Sequence, residues 1–460
     1  MRRPRKSDDF KEYSYVKKFS DSEIRLNSIN GNRGVALIFP NNYTVAASSL
    51  SWSWVQQLFW EYNIPVERYF YEKWFKKFYS IESFTPLDEN KVFLFSFHFE
   101  PDIENIVDIL KKQGIPILKN QRNENHPTII IGGAITFFNL ELVKPIADVI
   151  VIGDLEDKVE QISEGINILL KDKESGLKFL DKIDNVIVNE QKNYTLSNFD
   201  ISKKLPASHI ITRFSEFGEK RLIEIGRGCI RRCKFCVMGN TKKPVKFVKP
   251  ELIKDLLKDE KYPIGIISAT ITDYPWLDEL LDILEYYEIK FSVSSMRADG
   301  ITKRLLRLLK ESGQNTYTIA PEGISQKIRD VMLKDLNEEE LLTALEMGRM
   351  ENFSSVKLYY IVGFDEEDNE DFNELKSFID KVKKLGYKSI TLSINPLIPK
   401  KNTPFYGRKF INERRYNEIR KWMYENLKGV KLHFESYKLS KKQNLYNNIS
   451  LEELINLFSK

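Results

Sequence analysis

The sequence predicts an α/β protein: an N-terminal Rossmann-like, doubly wound domain, then a partial barrel of six βα units, then a basic, mainly helical C-terminal extension. Two observations carry this. Short β-rich apolar runs that end in Gly, Pro or polar residues recur along the chain, as buried parallel strands do. Amphipathic segments of helix length separate them, and the series breaks once, in a charged stretch. A chain of 460 residues also exceeds one ordinary core, so several domains are expected.

After an arm over 1–30, the runs "GVALIFP" (34–40), "KVFLFSF" (91–97), "PTIIIGG" (127–133) and "DVIVIGD" (148–154) read as strands. Segments such as "PDIENIVDILKKQG" (101–114) read as the helices between them, giving a doubly wound domain over 31–160. Residues 161–215 read as a connector. A second series fills 216–400, with strands at 221–225, 263–270, 289–296, 314–323, 354–364 and 388–397. Helices such as "ITKRLLRLLKESG" (301–313) separate these strands, and six parallel units imply a partial TIM-type barrel whose site lies at the C-terminal strand ends.

Composition limits the function classes. Hydrophobic residues at 42% and charged residues at 30% describe a globular protein. No run of about 18 uncharged apolar residues occurs, and the start, "MRRPRKSDDFKEY", has no apolar segment behind its charges, so neither a membrane contact nor a secretory signal is expected. The net charge of +5 is uneven: residues 400–460 hold 14 Lys or Arg against 6 Asp or Glu, a balance of +8, which leaves −3 for the rest. Phe405, Tyr406, Phe410, Tyr416, Trp422 and Tyr424 are interleaved there, a composition suited either to RNA contact or to amphipathic helices with solvated lysine faces. Residues 51–80 hold four of the six tryptophans and eight Phe or Tyr, read as internal packing or as stacking surfaces for a ligand.

The sharpest feature is "EIGRGCIRRCKFCVMGN" (224–240). Cys229, Cys233 and Cys236 are the only cysteines of the chain, and they lie in the loop after the first strand of the second series. An odd, clustered set fits no disulfide framework and points to a reducing compartment, hence the cytoplasm. A C-x3-C-x2-C loop can hold three irons of a four-iron four-sulfur cluster and leave the fourth open. The alternative is a zinc knot, with His209 as fourth ligand.

"GRGCIRRCKFC" at the end of the first strand of such a barrel resembles the radical S-adenosylmethionine (SAM) superfamily, whose signature is C-x3-C-x-aromatic-C, with Phe235 as the aromatic. The resemblance implies an enzyme in which the open iron chelates SAM, an electron supplied by a reductant such as flavodoxin or ferredoxin cleaves a carbon–sulfur bond, and the deoxyadenosyl radical attacks a substrate. It implies SAM contacts from Phe235 beside adenine, Thr270 in "SATITDYP", Ser294 and Arg297 in "SVSSMRAD", Glu322 in "APEGISQKIRDVMLKD", and Val362 and Gly363 in "KLYYIVGFDEEDNEDF". The chain departs from the family pattern at the second strand, which lacks the usual acidic residue, and at Asp365, where a Pro is usual. Members with a second cluster need further cysteines, so one cluster is expected here. The substrate arrives at the barrel mouth, and nothing in the sequence names it.

"PTIIIGGAITFFNLELVKPIADVIVIGDLED" resembles the end of the cobalamin-binding-type domain that precedes the barrel in one radical SAM branch. That likeness implies cobalamin as a further cofactor and methyl transfer as an alternative reaction. "GDLED" stands where "GEGE" is usual, the D-x-H-x-x-G motif is absent, and neither His98 nor His126 has its spacing. The domain therefore either holds cobalamin without a protein ligand or has lost it. A function from another class, RNA binding or redox response around a structural cluster, also fits the composition.

Overall fold

The computed structural model describes residues 10–27, 34–188 and 194–458. Two compact units result: Pro206–Arg221 and Tyr446–Lys460 join the chain up to Phe199 in the first, and Asp200–Leu205 and Leu222–Leu445 form the second.

The first unit is built on strands β1 (Val35–Phe39), β2 (Val66–Phe70), β3 (Val92–Ser96), β4 (Thr128–Gly132), β5 (Val149–Val151) and β6 (Val186–Ile187). They lie in the order β2-β1-β3-β4-β5-β6; the first five are parallel, and β6 runs antiparallel to β5. This is the doubly wound order in which the chain reverses direction across the sheet between β1 and β3. Every residue of β1 and of β3 is buried, which is why both read as unbroken apolar runs. The helices include α1 (Phe10–Ser20), α2 (Leu50–Glu61), α3 (Ile103–Lys112), α4 (Val159–Leu169) and α5 (Lys173–Leu180).

Two expectations need correction, and one strand is added. The described part of the 1–30 arm is integral: α1 buries Val16 and Phe19, and Ile24–Arg25 pairs antiparallel with Ile210–Ile211. The 161–215 stretch is no mere connector, because it supplies most of α4, then α5 and β6, with Ile162, Ile166, Leu169, Leu180 and Val186 buried. The aromatic segment contains a strand that no apolar run announced, β2, whose sequence is VERYF. Its rings are core: Trp52, Trp54, Phe59, Tyr69, Phe70, Phe75 and Phe78 are all buried, and of its four tryptophans only Trp74 is largely exposed.

Arg68 of β2 organises this core. Its guanidinium is buried, with Nη2 2.7 Å from Glu23 and Nε 2.7 Å from Glu82, and it lies over the Trp52 ring. Glu23 also accepts from the Tyr43 hydroxyl at 2.8 Å, so one carboxylate ties the N-terminal segment to β2 and to the helix after β1.

The second unit contains β7 (Arg221–Glu224), β8 (Ile264–Ile267), β9 (Phe291–Val293), β10 (Thr316–Glu322), β11 (Ser355–Val362), β12 (Ser389–Pro396) and β13 (Lys431–Phe434). One sheet has the order β9-β8-β7 and another β10-β11-β12-β13, and a parallel bridge between Met296 and Ile319 links β9 to β10. The pairings of β8 with β9 and of β10 through β13 are parallel, with Thr316 opposite Ser355, and Ser355 opposite Ser389. The expected six strands are present, and β13 is a seventh that comes from the basic extension. It escaped notice because it has four residues, two of them exposed, at the sheet's edge.

The rest of the extension is helical as expected: helices Glu413–Asn426, Tyr437–Asn448 and Leu451–Phe458 follow Ser389–Pro396. Helix 413–426 buries Tyr416, Ile419 and Met423, and outside it pairs Arg414 with Glu418 and Lys421 with Glu425. Of the six interleaved aromatics, only Tyr406 and Tyr424 stay about half exposed, at 51% and 50%. No helix among the described residues is long and apolar enough to cross a membrane.

Replacing Arg68 with Met leaves the largely buried Glu82 without its ion-pair partner and Glu23 with Arg25 alone, at 3.0 Å. The expected loss is about 3–5 kcal/mol of stability, read by urea unfolding of the whole chain.

Candidate functional site

The cysteine loop leaves β7 and is framed by an antiparallel pairing of Gly226–Arg227 with Lys246–Phe247. Its second half is the short helix α6 (Val237–Thr241), with Cys236 at the N-cap. The Asn240 side chain donates to the Cys233 carbonyl at 3.0 Å and to the Cys236 carbonyl at 2.7 Å, so one amide fixes the spacing of two thiols. Gly239 lies so close to the Arg231 carbonyl that an added Cβ would meet that oxygen at 2.2 Å. Arg231 in turn pairs with Asp273 at 2.7 Å and with Asp299 at 3.3 Å, tying the loop to the segments after β8 and β9. The Lys234 amide donates to the Met332 carbonyl at 2.9 Å, which fixes the loop to the segment after β10.

Cys233 is buried, while Cys229 and Cys236 are half-buried. Burial pushes the Cys233 thiol up, opposed by the charges of Lys334 and Arg297. Burial also raises Cys236, opposed by the backbone N–H groups of Gly239 and Met238. Loading such thiols with metal releases their protons, and the nearby cations and amides favour the thiolates that result.

Among the described residues, no three His, Cys, Asp or Glu side chains converge on a point where a single ion could be held. A structural zinc site needs four donors at about 2.0–2.3 Å from one ion, whereas a four-iron cluster takes one thiolate per iron and spreads them. His209 is not a zinc ligand either: it is buried in the first unit with Nε2 3.1 Å from Gln56 Oε1, and burial lowers its pKa to about 3. His209 is thus engaged elsewhere and does not complete a zinc knot, which leaves the three thiols of the loop to a cluster.

The residues expected at SAM sit at the C-terminal strand ends, with different freedom to act. Thr270 is buried with its hydroxyl 3.9 Å from Cys229 Sγ. Phe235 is half-buried between two of the cysteines, and Ser294 is exposed at the end of β9. Glu322 ends β10 with a φ of 65°, and its nearest cation is Lys334 at 3.8 Å, beyond hydrogen-bonding distance. Burial raises its pKa, opposed by the charge of Lys334. Val362 and Gly363 end β11, but the Gly363 N–H already donates to both oxygens of Glu367, and the Val362 carbonyl accepts from Leu397. Those two backbone groups offer apolar and shape contact rather than a free donor.

Arg297 is a correction. Its guanidinium is spent on Asp299 at 3.0 Å and on the carbonyls of Lys334 and Asp335 at 2.7 Å each, so it braces that turn and has no fork left for a ligand. Asn240, Glu367 and Lys334 were not singled out from the sequence. Nothing in "MLKDL" marked Lys334, which only the fold brings beside the loop.

At the C-terminal edge of the sheet of the first unit two glycine turns are tightly packed: an added Cβ on Gly133 would meet the Phe97 carbonyl oxygen at 2.4 Å, and on Gly153 the Ser197 carbonyl oxygen at 2.3 Å. Ser197 is bridged to Gly153 and accepts from the Asp154 amide. His98, at the end of β3, accepts from the Ala134 amide at Nδ1 (3.2 Å), and its Nε2 lies 2.8 Å from Ser96 Oγ and 3.0 Å from Ser51 Oγ. Burial lowers its pKa to about 4, so it is a neutral ring with both nitrogens engaged and none free for cobalt.

Comparison with known proteins agrees with this site. Residues 223–379 match the family profile "Radical SAM superfamily", and residues 54–188 match "Radical SAM proteins, N-terminal". An uncharacterised protein of Methanocaldococcus jannaschii is 28% identical over 420 residues, 88% of this chain and 86% of its own. The ribosomal protein uS12 methylthiotransferase of Thermotoga petrophila is 30% identical over 183 residues, 36% of this chain and 42% of that one. Among solved structures, the radical SAM methyltransferase TsrM of Kitasatospora setae superposes with a TM-score of 0.54 at 11% identity, covering 78% of this chain and 73% of its own. The cobalamin-dependent SAM radical enzyme OxsB superposes at 0.51 and 14% identity, covering 85% and 61%. These two likenesses show a shared fold. The fold and the cysteine loop agree with an iron–sulfur barrel enzyme, and residues 223–379 belong to the radical SAM superfamily.

The close contact at Gly239 yields a test. Gly239→Ala forces the loop away from Arg231, and iron uptake on anaerobic reconstitution should fall well below the roughly four irons per chain that one cluster requires. Wild-type uptake in the variant would show that the loop yields elsewhere.

Proposed function

We propose that the protein cleaves SAM reductively at one four-iron four-sulfur cluster held by Cys229, Cys233 and Cys236, and that the radical acts on its substrate without help from cobalamin. The observation that carries this reading is the cysteine loop itself: three thiols at the C-terminal end of β7, with Thr270 and the carboxylate of Glu322 beside them. The cluster and SAM, when bound, supply the one-electron cleavage that yields a deoxyadenosyl radical.

The chain's residues bind and orient. Thr270 and Ser294 offer hydroxyls, and Glu322 can accept from ribose hydroxyls or an ammonium through charge-assisted hydrogen bonds. Phe235 offers a face to adenine, and Val362 and Gly363 form an apolar wall. The electron comes from a donor of the flavodoxin or ferredoxin kind, and a reducing compartment such as the cytoplasm keeps the thiols ready.

A cobalamin-dependent methyl transfer is the second reading, since TsrM and OxsB share the fold and OxsB is described as cobalamin-dependent. The tightly packed glycine turns and the engaged His98 weigh against it. RNA contact through the extension draws less support than its composition promised, because the exposed charges of helix 413–426 pair with neighbours on the same helix.

Reconstituted protein, reduced with dithionite in the presence of SAM, should release 5′-deoxyadenosine. The yield should be the same with and without hydroxocobalamin, and the corrin should stay unbound in equilibrium dialysis. No deoxyadenosine would defeat the enzyme reading; tight one-to-one corrin binding would revive the second.

A further inference from the structure

A cavity of about 530 Å³ lies against the outer side of the cysteine loop, lined by Ile230, Arg231 and Arg232 on one side and by Asp330, Leu333, Lys334 and Asp335 on the other. Lys334 is the unusual member. Its residue is only 7% exposed, and its ammonium forms a long ion pair with Glu322 at 3.8 Å. An ammonium so placed needs an anion in place of its water, and a pair that long leaves room for a second negative group beside it.

The surrounding backbone holds this cation in place. Arg297 grips the Lys334 carbonyl at 2.7 Å, the Lys334 amide donates to the Arg329 carbonyl at 2.9 Å, and the adjoining Met332 carbonyl takes the Lys234 amide from the middle of the cysteine loop. Arg231 and Arg297 are neutralised by Asp273 and Asp299, whereas Lys334 meets its carboxylate only at 3.8 Å; Arg232, which also lines the cavity, is exposed to water.

We propose that Lys334 is a positioning residue for electron entry: its buried ammonium, fixed against the cysteine loop, raises the reduction potential of the cluster that the loop holds. In that step the cluster gains one electron from an external one-electron donor, which is oxidised, and no bond forms or breaks. A fixed positive charge in a poorly solvated site favours the more negative, reduced state, and the effect is larger there than in water.

The inference rests on the cluster assignment, and the two can fail separately. Wild-type protein that takes up no iron would remove the assignment. With the assignment intact, reconstituted wild type, Lys334→Met, Lys334→Gln and Lys334→Arg are titrated without SAM, with EPR reading the reduced fraction. Full iron content, a shift to more negative potential in Lys334→Met and Lys334→Gln, and recovery in Lys334→Arg are expected. Unshifted potentials at full iron would overturn it; if SAM affinity also fell, the ammonium would belong to SAM's carboxylate instead. Iron loss in both neutral variants that Lys334→Arg restores would likewise overturn it, in favour of a requirement for assembly alone.

Discussion

Three thiolates must face one region of space from a loop in which eight residues span first to last, and the backbone that achieves this has almost no room to spare. Gly239 touches the Arg231 carbonyl, one Asn240 amide spans the carbonyls of Cys233 and Cys236, and the salt bridges of Arg231 anchor the loop to its neighbours. A substitution that lengthens any of these contacts moves a sulfur. The barrel supplies what the loop lacks, since β7 delivers Cys229 at a strand end where the segments after β8, β9 and β10 converge.

Around that loop the second unit places charges sparingly and ties most of them down. Asp273 and Asp299 absorb Arg231, and Asp299 and two carbonyls absorb Arg297. Glu367, its pKa raised to about 7 by burial, closes the Gly363 turn by accepting its N–H. The pair Glu322 and Lys334 meets only at 3.8 Å, one beside the cofactor-binding strand ends and one beside the cysteine loop. A site that must bind a zwitterionic cofactor and accept an electron has use for both.

Much of this was legible in the sequence, for physical reasons that can be named. Strands buried on both faces read as continuous apolar runs, so β1, β3 and β4 stood out; β11 and β12 instead alternate buried and partly exposed residues, and the only three cysteines marked the loop. VERYF of β2 hid because Arg68 is buried by ion pairs that lie far off in sequence, at Glu23 and Glu82. KLHF of β13 hid because an edge strand needs no apolar face. The role expected for Arg297 failed because no pattern shows that a guanidinium is already spent, and His98 was weighed only as a cobalt ligand although its nitrogens go to Ala134, Ser96 and Ser51. Lys334 carried no signal at all, because its burial beside Glu322 exists only in three dimensions.

The N-terminal unit has the doubly wound order, with Phe97 and Ser197 packed against its glycine turns. The radical chemistry proposed here lies at the cysteine loop of the second unit. The EPR spectrum of the reduced, reconstituted protein before and after addition of SAM tests that claim most directly. A single four-iron signal whose g-values move when SAM binds is the predicted result, because SAM then coordinates the open iron. A signal that SAM leaves unmoved, or no four-iron signal, would contradict it.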